Sequence, residues 1–360
     1  MIHVHDEVGT LKRVLVHRPG AEIVKMTQFE LERLLFDDIL SLELAQREHD
    51  LLRSILGFGG AEVLEIQDVL TDALRRAAPD STHGLLGHVC ERAAVPELAA
   101  ILSDWEPARL AAALIEGVSW SEVEERDPSS RALGRLCAEL RGGGERALSP
   151  VPNLMFMRDP CISLYDRVMV GRMSTDARSR ESILVHFALQ FGLGADLLFD
   201  QHDWERHPHL RAIEGGDVLV LSPEQVMIGC SERTRPETVA RVAEEVLFPS
   251  FPNLKRVHAV LMPKLRSVMH LDTILTAIDR TLFLGHAPMV SVPDALPVIE
   301  LTRHRPAKQL KGMSVEDVLR AHLGHECRVV PCGGRDPLHQ QREQWTDGAN
   351  AVCLLSLIHI

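Results

Sequence analysis

No two of the seven cysteines in this 360-residue chain form a Cys-x-x-Cys pair. An odd, scattered set in a chain this long argues against a disulfide framework and predicts reduced thiols in a cytoplasm. Nor is there an apolar run near the ~18 residues that a membrane helix needs, so no membrane partner is expected. The opening Met1-Ile-His-Val-His-Asp-Glu-Val-Gly-Thr10 does not read as a signal peptide. Basic charge is short as well. Lys and Arg total 39 against 51 Asp and Glu, a net charge of −12. That balance argues against nucleic acid as the main partner, since phosphate binding wants a basic face, and it suits a cationic ligand better. What remains is ordinary globular usage, 45% apolar and 25% charged, enough for a proper core. We read residues 1–360 as a single domain.

Leu11-Lys-Arg-Val-Leu-Val-His17 alternates apolar and polar residues and runs into Arg18-Pro-Gly20, which predicts a strand and a turn. Residues 41–56 place Leu42, Leu44, Ala45, Leu51, Leu52, Ile55 and Leu56 at helical spacing, and a strand is expected over Ala61–Ile66. From 67 to 148 the texture turns Ala/Leu/Glu/Arg-rich with prolines at 79, 96, 107 and 128, which predicts an all-helical insertion of four or five short helices.

The second half repeats itself. Asp159–Gly171, Asp217–Gly229 and Asp272–Gly285 each read as an acidic residue, an apolar strand, a polar two-residue turn, a second strand and a glycine. The leading aspartates are 58 residues apart (159 to 217) and 55 apart (217 to 272). Each copy leads on to a helix and a further strand: Asp176–Phe191 then Ala195–Phe199, Pro236–Val246 then Lys255–Met262, and Ser314–Leu323 then Cys327–Pro331. The unit is ββαβ around an axis, and the fold class is α+β. A last unit opens at Asp347-Gly-Ala-Asn350 with one strand and no partner, so it reads as incomplete and the terminus as cut.

Repetition turns ordinary turn-capping acids into candidates. Asp159, Glu214 with Asp217, and Asp272 occupy matched positions, and converging carboxylates need a cation among them. His270 lies two residues before Asp272, so on a strand both would face one way, and histidine is the usual acid–base group near neutral pH. Arg178 follows Asp159 by 19 residues and Arg233 follows Glu214 by 19. Arginine forks grip carboxylates. Carboxylates at one end and arginines at the other suggest a zwitterionic ligand with a cationic tip. The dense His202-Asp-Trp-Glu-Arg-His-Pro-His209 stretch matches no familiar ligand spacing, so no metal is expected. Cys161, Cys230, Cys332 and Cys353 lie in or beside strands and carry no mark of a low-pKa thiolate.

Taken together, Leu11–Gly20, Leu34-Leu-Phe-Asp-Asp-Ile39, Glu48-His-Asp50, Pro152-Asn-Leu-Met-Phe-Met-Arg-Asp-Pro160, Ile213-Glu-Gly-Gly-Asp217, Ser231-Glu-Arg-Thr234, Met269-His-Leu-Asp-Thr273, Cys332-Gly-Gly334 and Asp347-Gly-Ala-Asn350 resemble arginine deiminase. The resemblance implies a pseudo-fivefold ββαβ propeller of guanidino-modifying enzymes. It implies that Asp159 and Asp272 grip a guanidinium with Glu214 alongside, that Phe156 lies by its plane, and that His270 shuttles protons. Asn153, Arg178 and Arg233 would hold the α-carboxylate of L-arginine. The implied chemistry is hydrolysis to citrulline and ammonia, in arginine catabolism, through a Cys-linked thiouronium, with no metal or cofactor.

One departure stands out. The family's nucleophilic Cys follows a Gly/Arg-rich loop beyond the Asp-Gly-x-Asn motif, and this sequence has no such segment. Leu354-Leu-Ser-Leu-Ile-His-Ile360 looks foreign to the family, like a translated adapter. The chain is therefore expected to lack activity as it stands. A non-catalytic arginine-binding protein and a related amidinotransferase or hydrolase are the alternatives, and homo-oligomer formation stays open.

Overall fold

The computed structural model describes residues 2–124 and 146–354. They form two compact units: one holds the residues up to Lys12, Arg158–Ser174 and the chain from Asp196 onward, the other Arg13–Met157 and Thr175–Ala195.

In the second of these units, β1 (Arg13–Val16) pairs in parallel with β2 (Glu62–Glu65), joined through the helix Leu42–Phe58. Ser41 caps that helix by accepting from the Leu44 amide. The expected helical spacing is there, but its apolar face is not buried: Leu44, Leu51, Leu52, Ile55 and Phe58 are exposed and only Leu56 is enclosed. Helices Ile66–Arg76, Pro79–Arg92, Leu98–Leu102, Pro107–Glu116 and Trp120–Glu124 follow. Pro79 and Pro107 stand in first turns, where a missing N–H costs nothing. The block also contains a short ribbon, β3 (Val118–Ser119) against β4 (Arg146–Leu148), which the helical reading did not include. Pro128 and the glycine run at 142–144 lie outside the described residues. The helix Ser179–Phe187 is buried from Arg180 to its end.

The other unit holds the repeat. β5 (Cys161–Leu164) and β6 (Arg167–Val170) are antiparallel, and β7 (Leu197–Phe199) joins β6 in parallel. β8 (Val218–Ser222), β9 (Gln225–Cys230) and β10 (Arg256–Leu261) repeat this pattern, with the helix Pro236–Arg241 before β10. β11 (Leu275–Asp279) and β12 (Leu282–Gly285) form the third hairpin. A further hairpin, β13 (Val298–Thr302) and β14 (Arg305–Gln309), was not read from the sequence. It adds antiparallel to β10 and widens the second sheet to five strands. The helix Val315–Leu323 then leads to β15 (Arg328–Pro331), parallel to β12. Three ββαβ units are thus present in an α+β chain. One core surrounds β8–β10 with Trp204, Phe248 and Phe251; another packs β11 and β12 against Val315, Val318 and Leu319.

Two local expectations are corrected. Asp272 does not sit on a strand with His270: His270 is extended, and Leu271–Thr273 is a 3-10 turn ahead of β11. Ala351–Leu354 is not a strand. Its contacts to β11 run through the Thr276 hydroxyl and the Cys353 thiol, so no backbone ladder forms. Among the described residues no helix is long and apolar enough to cross a membrane.

Candidate active site

The matched acids stand in turns that enter the hairpins. Gly215–Asp217 is a 3-10 turn opening β8, Leu271–Thr273 is its counterpart before β11, and Asp159 precedes β5 by two residues. The Gly215 amide donates to the Asp159 carbonyl at 3.0 Å and the Gly216 amide to Asp159 Oδ1 at 3.2 Å, which ties the first two repeats together. A side chain at Gly216 would leave no room. Its Cβ would stand 2.7 Å from the His270 ring.

Within this shell, His270 Nε2 lies 2.9 Å from Glu214 Oε2, and its Nδ1 lies 3.7 Å from Asp159 Oδ1. Glu214 is fully buried, and its Oε1 accepts from the Ser174 amide at 2.7 Å. Asp272 is buried too, with Arg158 Nε 3.4 Å from its Oδ2. Arg158 also reaches Glu7 and donates to the Gly215 and Val218 carbonyls.

Charge in so tight a group moves the proton equilibria. Burial alone would pull His270 down, but the field of Asp159, the hydrogen bond to Glu214, and then Asp217 and Asp272 outweigh it and raise the imidazole to about 10. Burial pushes Asp217 up to about 7 and Asp272 up to about 6, with His270 opposing both and Arg158 opposing the second. At neutral pH His270 is therefore an imidazolium, a proton donor held among carboxylates. Asp159, Glu214 and His270 offer atoms within 4.8 Å of one another, a spacing that a divalent ion could also span. The protonated ring already supplies that positive charge.

Asp217 does different work from the other acids at the matched positions. Its Oδ1 accepts from the Leu271 amide at 2.9 Å and its Oδ2 from the Ser231 hydroxyl at 2.6 Å, so it fixes the turn that carries His270. Gly229, which closes the second repeat, makes space for it: a Cβ there would stand 2.3 Å from Asp217 Oδ1. Ser231 Oγ in turn accepts from the amides of Arg233 and Thr234. The sequence motifs contain Arg158, Asp217, Ser231 and Thr234, but nothing in their spacing assigns them these tasks.

The two arginines differ. Arg233 is buried, and among the described residues its Nε and Nη1 have no hydrogen-bond partner while Nη2 reaches only Met269 Sδ at 3.4 Å. Arg178 belongs to the other unit, where it donates to both Glu181 oxygens and to the Asn153 and Phe156 carbonyls. Its guanidinium carbon is 5.8 Å from the Phe156 ring centre, and Asn153 Nδ2 donates to the Leu34 carbonyl. The thiols of Cys90, Cys161 and Cys230 are pushed up by burial to about 11, 12 and 12, and burial raises Cys327 and Cys332 as well. None of these five is a thiolate at neutral pH.

The family model for arginine deiminase matches residues 32–356. The chain belongs to the arginine deiminase family. It is 32% identical to the arginine deiminase of Latilactobacillus sakei subsp. sakei, across 98% of this chain and 86% of that protein. It is 33% identical to the arginine deiminase of Listeria monocytogenes serovar 1/2a, with the same coverage. Among solved structures, DDAH from Pseudomonas aeruginosa complexed with citrulline matches 77% of this chain and 69% of that one, at 14% identity and a TM-score of 0.40. In this arginine deiminase family member the acidic cluster, His270 and Arg233 all come from one unit of the chain.

Proposed function

We propose that the site binds L-arginine and serves its hydrolysis to L-citrulline and ammonia, as the names of the relatives suggest. The observation that carries this reading is the buried His270 ring set among Asp159, Glu214, Asp217 and Asp272, with an arginine of unmet hydrogen-bonding capacity in the same unit. Asp159 and Asp272 would pair with the guanidinium N–H groups, while Arg233 would use its open donors on the α-carboxylate. A cysteine thiolate would attack the guanidinium carbon. His270 would pass its proton to the departing nitrogen, which leaves as ammonia, and an S-alkylthiouronium forms. The now neutral His270 would take a proton from water as its oxygen attacks that carbon. Collapse breaks the C–S bond and regenerates the thiolate, while the hydroxyl proton passes to the released ammonia as ammonium and citrulline departs.

That cycle needs a thiolate; burial disfavours one at each of the five cysteines above, the Cys353 thiol donates to the Ile278 carbonyl, and Cys137 lies outside the described residues. We therefore expect the 360-residue chain, assayed by itself, to bind arginine without turning it over. Titration calorimetry should give saturable heat with L-arginine and at least tenfold weaker binding of agmatine, its decarboxylated analogue. Citrulline analysis should find no product. Absence of arginine heat from the folded protein would overturn the binding reading, and citrulline formation would overturn the exclusion of these cysteines as nucleophiles.

A further inference from the structure

A second group of titratable side chains lies on the five-stranded sheet of the same unit and includes no residue of the acidic cluster. His258 on β10 stands directly opposite Glu300 on β13. His322, in the last turn of the helix Val315–Leu323, brings its ring to 4.7 Å from that of His258, centre to centre. His258 is wholly buried, yet neither of its ring nitrogens has a hydrogen-bond partner among the described residues. A buried polar group left in that state is destabilising, a cost that a leucine or methionine at the same place would avoid. Both imidazoles aim Nε2 at one oxygen: each lies 3.7 Å from Glu300 Oε2. One ligand atom from each of the three residues falls within 4.8 Å of the others.

We propose that His258, Glu300 and His322 form a binding site for Zn2+. Two imidazole nitrogens and one carboxylate oxygen are a zinc donor set, whereas calcium and magnesium ask for oxygen alone. Tetrahedral bonds of about 2.0–2.1 Å place ligand atoms roughly 3.4 Å apart, so the observed 3.7 Å spacings close with small side-chain rotations. Coordinating imidazoles must be neutral. The complete burial of His258 favours that form. Arg256 Nε lies 3.2 Å from the same Glu300 oxygen and orients the carboxylate, while Gln225 Nε2 donates to the His322 carbonyl and tethers the helix end to the sheet. The arginine's charge opposes a dication, which sets the expected affinity in the micromolar range. Bound zinc would fasten the Val315–Leu323 helix to β10 and β13.

The full chain, stripped with a chelator, is titrated with Zn2+ alone by calorimetry and followed in thermal melts. One equivalent should bind and raise the melting temperature, and Co2+ in its place should give the strong visible absorption of a tetrahedral site. His322 is partly exposed, so His322→Ala should keep its circular dichroism while zinc affinity falls tenfold or more and the thermal gain disappears. If that variant fails to fold, Glu300→Gln, of nearly the same shape, gives the same reading. No saturable zinc binding by the wild type would overturn the proposal. So would undiminished binding in the variant, because the ion would then sit on the Asp159, Glu214 and His270 group or on thiols.

Discussion

His270 Nε2 sits 2.9 Å from Glu214 Oε2 in a shell where the carboxylate is fully enclosed and the ring nearly so. The two residues are 56 positions apart and come from successive repeats, so the contact exists only because the turn before β8 and the turn before β11 are held together. That join rests on Asp217, which accepts from the Leu271 amide and from the Ser231 hydroxyl. Acid–base capacity and the packing of the repeats are thereby the same set of bonds.

His270 should make the fold pH-dependent in a definite direction. Its folded pKa of about 10 stands above the ordinary 6.5, so its contribution is complete below about pH 6.5 and is lost as pH rises through 10. Asp217 and Asp272, also raised, lose theirs lower, as pH rises from about 4 through 6 to 7. Above about pH 7 the wild type should therefore lose on the order of a few kcal/mol by pH 10, and His270→Gln should show little of that slope. Parallel melting curves for the two proteins across that range would remove His270 as the proton carrier.

Gly216→Ala tests how closely the shell is drawn. The added methyl meets the His270 ring at 2.7 Å and Asp159 Oδ1 at 3.0 Å, both in buried surroundings. Overpacking of this kind costs about 1–3 kcal/mol, and the ring must leave Glu214 to relieve it. Chemical denaturation should show the loss, and the histidine titration followed by NMR should move toward its ordinary value. A variant as stable as the wild type with an unmoved titration would contradict the contact.

Ser231→Ala removes one donor from Asp217 and one acceptor from the amides of Arg233 and Thr234. Leaving buried polar atoms unpaired should cost about 1–3 kcal/mol. Arginine affinity should weaken with it, because the Arg233 turn loses its anchor, while Ser231→Thr should recover much of both. A Ser231→Ala variant as stable and as tightly arginine-binding as the wild type would contradict this role of the hydroxyl.

Much of this was legible before any coordinates. Strands of period two, each pair separated by a polar two-residue turn and led by an acid, mark the three hairpins at Cys161, Val218 and Leu275. The β13–β14 hairpin escaped because Arg303-His-Arg-Pro306 reads as a charged loop, and only its pairing with β10 makes Val298–Thr302 a strand. Helical spacing foretold Leu42–Phe58 but not the exposure of its leucines, since periodicity fixes which side chains share a face and not what covers it. Asp159, Glu214, Asp272 and His270 were legible as acids at matched positions with a histidine beside them. The difference between Arg178, engaged by Glu181, and Arg233, left with open donors, depends on packing that equal spacing along the chain does not encode.

The chain passes between its two compact units four times, after Lys12, Met157, Ser174 and Ala195. Neither unit is a stretch of gene that one cut could release. A fusion junction or a transplanted cassette placed at Met157 alone would strand the Thr175–Ala195 segment with the wrong partner. Recombination can exchange these units only as interleaved pieces.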